Sequence, residues 1–146
     1  MTRMPQPLKR KPLFAALLVI SIAVIIPAFG KGRAKRLHFN KGEDSITVRG
    51  YLHGVKDSVS YLLTVKAHQT IEVRNSCGGR NEILTASNIY DPSGKEVSDD
   101  HDMQGNNGVT ETKTGGTYRI EVAPNLKGAT HRGSFCNEIT VTDTQH

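Results

Sequence analysis

The chain has 146 residues, enough for one domain, with 19 Lys+Arg against 14 Asp+Glu, few aromatic residues and no Trp. Eight of the cations lie in residues 1–36 and no acid precedes Glu43, so from Leu37 onward 11 cations face 14 anions, a net charge of −3. The high pI therefore belongs to the N-terminal end, and a basic fold built to bind nucleic acid is not supported.

In chain order, Arg3, Lys9, Arg10 and Lys11 form a positive start, and an apolar run follows over residues 13–26, broken only by Ser21. Pro27 ends any helix, and Ala28-Phe29-Gly30 places small residues where a signal peptidase reads. The run of 14 residues is short of the roughly 20 needed to span a bilayer. Residues 1–30 are thus expected to be a secretory signal cleaved after Gly30, with a retained anchor as the alternative. Either way the domain is expected to be periplasmic or secreted, meeting the membrane only through this N-terminal segment. Residues 31–36 form a basic linker, and 37–146 the domain itself.

Beyond the linker, period-2 alternation dominates and no 3.6-residue period occurs. It predicts strands over residues 45–53 (Ile46, Val48, Leu52 on one face), 59–66 (Tyr61, Leu63, Val65) and 70–75 (Ile71, Val73). Further strands are predicted over 83–90, 117–123 (Tyr118, Ile120, Val122) and 135–142 (Phe135, Ile139, Val141). Asp91-Pro92-Ser93-Gly94 supplies turn chemistry, residues 95–108 read as a long polar connection, and 124–133 as a polar loop. Six or seven short strands predict an all-β fold, a single antiparallel sandwich or barrel.

Cys77 and Cys136 are the only cysteines, 58 residues apart in the intervening sequence, and both are in the exported part. An even pair in an oxidising compartment predicts a disulfide, worth about 2–4 kcal/mol through the unfolded state. Zinc is not expected, because no CxxC or paired histidine accompanies them.

No GxSxG elbow, HExxH or free thiolate is present, and the six histidines are scattered, so the chain is not expected to be an enzyme. Asp100, Asp102, Gln104 and Glu111 fall at the alternating positions of a calcium loop, with Gly105 at the bend and Gln replacing Asp or Asn. The flanking helices of an EF-hand are missing, and a hydrophilic loop with an Asn107-Gly108 hairpin turn is the plainer reading. No other cofactor is implied. The loop at 124–133 carries Lys127, His131 and Arg132, cations suited to an acidic cleft on a partner, although a solvated turn is the plainer reading of a polar loop.

The order of motifs resembles the bacterial pre-peptidase C-terminal-like sandwich domains. Phe39-x-Lys41-Gly42-x-x-Ser45, then Gly50, Gly54, Tyr61, Gln69 and Val73, is similar to their opening half. Ile89-Tyr90-Asp91-Pro92-Ser93-Gly94-Lys95 is similar to their central strand and turn, and Gly115-Gly116-Thr117-Tyr118-Arg119-Ile120-Glu121-Val122 to their penultimate strand. A single copy behind a signal peptide most resembles the periplasmic inhibitors of goose-type lysozyme. The resemblance implies a jelly-roll-like sandwich that occludes a lysozyme cleft with loops at one end. The matching positions are Lys127, His131 and Arg132, with Thr114 and Tyr118 on the approach to the penultimate strand. The other reading is a periplasmic or secreted binding or envelope module without inhibitory activity, stabilised by calcium.

Overall fold

Valines, isoleucines and threonines at alternate positions stiffen the backbone toward extended conformations and give each segment one apolar face. The computed structural model describes residues 34–76, 79, 82–100 and 108–144, Asp100 through its backbone alone. The expected signal segment 1–30, Cys77, and Asp102 and Gln104 lie outside the described residues. No helix occurs among them.

The described residues form nine strands: β1 (Lys35–Arg36), β2 (Ser45–Leu52), β3 (Val59–Val65), β4 (Gln69–Asn75), β5 (Thr85–Tyr90), β6 (Asp99–Asp100), β7 (Gly108–Glu111), β8 (Gly116–Pro124) and β9 (Gly133–Asp143). They build two sheets, one in the order β1-β3-β8-β5 and the other β2-β9-β4-β7-β6. Every pairing is antiparallel except that of β1 with β3. The fold is an antiparallel β-sandwich, as the alternation predicts.

The inward faces meet in one core that includes Leu52, Leu63, Ile71, Ile89, Ile120, Phe135 and Ile139, all nearly or fully buried. Each such side chain stabilises the fold by about 1.5–3 kcal/mol through removal of apolar surface from water. Ile46 and Val141, expected in the core, are only partly buried at its margin.

A buried polar clamp joins the sheets. The Thr85 hydroxyl donates to Asn75 Oδ1 at 2.7 Å, and Asn137 Nδ2 donates to Thr85 Oγ1 at 2.9 Å. Asn75 Nδ2 also donates to the Thr85 carbonyl at 3.0 Å, so β4, β5 and β9 are held in one alignment. Such satisfied networks fix a unique packing of the layers.

Two expectations need correction. Residues 95–108 are not one structureless connection: they contain β6, and Gly108 opens β7 opposite Val73, while Asn107 of the expected turn lies outside the described residues. The strand predicted from residue 83 begins at Thr85, because Ile83 and Leu84 serve as a connection whose backbone bonds to Ser134 and Asn125.

Candidate functional site

The strand directions sort the connections into two groups. Residues 53–58 and 125–132, with the described part of the segment leading into β5, lie at one end of the sandwich, the Arg132 end. Residues 38–44, 66–68 and 112–115 lie at the other, the Thr114 end. β8 spans nine residues between the two groups, a separation of about 25–30 Å. Lys127, His131 and Arg132 are therefore brought together, whereas Thr114 and the start of β8 are placed at the far end.

At the Arg132 end, the loop is built on Asn125. Its buried side chain accepts the Lys127 amide at 2.9 Å, its carbonyl accepts the Gly128 amide at 3.0 Å, and its own amide donates to the Leu84 carbonyl at 3.0 Å. This is a β-turn with an Asx bond, and it throws the two central residues, Leu126 and Lys127, outward. His131 lies with a ring nitrogen 3.3 Å from the Leu126 carbonyl. The exposed Arg132 donates from Nε to the Tyr51 hydroxyl at 3.3 Å, and the Tyr51 ring lies 5.0 Å from that of His53. Asp57, at the same end, accepts the His53 amide at 2.8 Å. Among the described residues no carboxylate forms an ion pair with Lys127 or Arg132.

The large hydrophobic residues exposed among those described gather here too. Leu126 is 72% exposed, Val55 53%, Leu84 50% and Tyr51 45%, and each stands on or beside a connection of this end. Apolar side chains with unneutralised cations around them make a surface suited to another protein. Sequence reasoning missed Tyr51, Val55, Leu84 and Leu126. The signal for Tyr51 was present: Ile46, Val48 and Leu52 point inward, so the intervening Tyr51 must stand on the outer face.

The Thr114 end has a different chemistry. Tyr118 is buried at the back of a cleft, and its hydroxyl donates to the Thr114 carbonyl at 2.9 Å, so it secures the turn. Thr114 itself is exposed and lines a cleft of about 610 Å³ with Asp91, Glu96, Asp99 and Glu111. The Ser93 hydroxyl donating to Asp91, helped by backbone amides and Lys95, holds that carboxyl below its ordinary range. Of the candidate calcium ligands, Asp100 contributes backbone to β6 and Glu111 ends β7. No group of three or more carboxylate, His or Cys side chains placed to hold a metal occurs among the described residues.

Cys136 is buried in β9. The Ser76 amide donates to its carbonyl at 3.2 Å, and the Ser76 hydroxyl lies 3.9 Å from its sulfur.

No protein-family model matches the chain, and a search of curated proteins finds no match. Solved structures do share its architecture. Aeromonas hydrophila PliG, a periplasmic lysozyme inhibitor of g-type lysozyme, is 23% identical, with a TM-score of 0.56 over 77% of this chain and 96% of that one. Salmonella Typhimurium PliG, described in the same words, is 19% identical with a TM-score of 0.57, covering 78% of this chain and all of its own. An Escherichia coli PliG mutant is 18% identical with a TM-score of 0.56 over 77% of this chain and all of its own. The sandwich described above is thus the fold of the PliG lysozyme inhibitors.

Proposed function

We propose that this chain is an exported, non-catalytic inhibitor of lysozyme, goose-type by likeness of fold, and that the Arg132 end closes the enzyme's cleft. The observation that carries the reading is the gathering at that one end of exposed apolar side chains and of cations with no ion-pair partner among the described residues. A lysozyme cleft offers the complement: it is concave and depends on a carboxyl group that donates a proton to the glycosidic oxygen. Arg132, held against Tyr51, would enter beside that carboxyl and exclude the sugar. A cation at this distance also favours the ionised carboxylate, so the enzyme would lose the proton its acid must donate. Lys127 would add charge complementarity at the rim.

The compartment belongs to the same proposal. Residues 1–30 direct export and are removed after Gly30, and the domain works in the periplasm or outside the cell. Cys77 and Cys136 form a disulfide there, a reading supported by the placement of Ser76, the neighbour of Cys77, against Cys136. The test is titration of the protein, expressed from its full reading frame for export and purified, against goose-, chicken- and invertebrate-type lysozymes. Inhibition of the goose-type enzyme is expected. Inhibition of none would leave a binding or envelope module.

A further inference from the structure

Among the described residues Leu126 is the most exposed of the large hydrophobic side chains, yet nothing in its turn asks for an apolar residue. The Asn125 bonds to Lys127 and Gly128 close that turn through backbone atoms, and any residue at position 126 would satisfy it. The turn is also rigid, because Asn125 is buried and tied to Leu84. Leu84, itself half exposed, adjoins the same turn: its side chain lies 4.0 Å from where a Cβ on Gly128 would stand. Leu126 on the turn and Leu84 beside it thus expose two apolar side chains at one corner of this end, with Lys127 next in the chain and a His131 ring nitrogen 3.3 Å from the Leu126 carbonyl. A single exposed leucine is ordinary. One on a preorganised turn with a second beside it, near cations that no acid neutralises among the described residues, fits a partner surface that is apolar at one point and acidic next to it.

Resting on the inhibitor reading above, we propose that Leu126, backed by Leu84, is an apolar anchor that occupies a sugar-binding subsite of the lysozyme cleft. Sugar rings expose C–H faces as well as hydroxyls, so the subsites that hold them combine apolar walls with a few polar groups. The catalytic carboxylate lies beside them, which matches cations at the same end of the sandwich, Lys127 next to Leu126 on the turn and Arg132 held by Tyr51. The anchor makes a contact separate from the charge contact of Arg132, and the preorganised turn lowers the entropy lost on docking. Because it rests on apolar burial, the contact is insensitive to salt, whereas that of Lys127 is screened.

The test uses the exported, purified protein with Leu126→Ala, Leu126→Asp and Lys127→Ala variants, assayed against goose-type lysozyme at about 0.05 and 0.5 M salt. Leu126→Ala is expected to weaken inhibition about 10-fold at both salt concentrations, and Leu126→Asp more. Lys127→Ala is expected to weaken it at low salt and much less at high salt. Melting temperatures should match the parent, because both side chains are exposed. A parent protein that inhibits while both Leu126 variants stay within about twofold of it overturns the anchor and leaves the inhibitor reading standing. A parent that does not inhibit the goose-type enzyme at all overturns both.

Discussion

Gly50 faces Phe135 across the β2–β9 pair, and a Cβ placed on it would lie 2.6 Å from the phenyl ring. The ring therefore occupies the space a side chain would take, and the core is filled from the opposite strand. Gly50→Ala is expected to destabilise the fold by about 1–3 kcal/mol through overpacking, read as a lowered urea midpoint with an unchanged slope. Tyr61 poses the reverse problem. It is buried, its hydroxyl has no hydrogen-bond partner among the described residues, and burial pushes its pKa up to about 12. In the unfolded chain the phenol ionises near pH 10, so its contribution is intact below that pH and is lost as pH rises toward 12. Tyr61→Phe should lose less stability than the parent between pH 10 and 12 in denaturant titrations; parallel loss in both would contradict this.

At the scale of elements, alternation was enough to place β2, β3, β4, β8 and β9, since each presents one apolar face over several residues. β1, β6 and β7 were not legible for physical reasons. β1 and β6 have two residues each and no alternation to read. β7 has four, opens on a glycine, and buries Thr110 where an aliphatic residue would have signalled a strand. Gly108 is required there because a Cβ would meet the Ser87 carbonyl at 2.6 Å. The turn before β8 has its own constraint. Gly116 has a φ of +150° and packs under Pro92, while Tyr118 ties the turn to Thr114. Gly116 and Tyr118 of the Gly-Gly-Thr-Tyr motif thus each have a role in local structure.

For the whole molecule, the candidate site was half legible. Lys127, His131 and Arg132 could be read as one group because they share a single loop. Their distance from Thr114 could not, since it depends on β8 running the length of the sandwich between them. Tyr51, Leu84 and Val55 join the Arg132 end from three other places in the chain, and only the topology assembles them. On the proposed function, binding belongs to the Arg132 end alone. That claim is tested most directly by measuring inhibition of goose-type lysozyme by an Arg132→Ala, Lys127→Ala double variant beside a Thr114→Ala, Lys113→Ala double variant. The first should weaken inhibition by about 100-fold and the second by no more than about twofold. Equal losses from the two ends, or a loss confined to the Thr114 end, would contradict the claim.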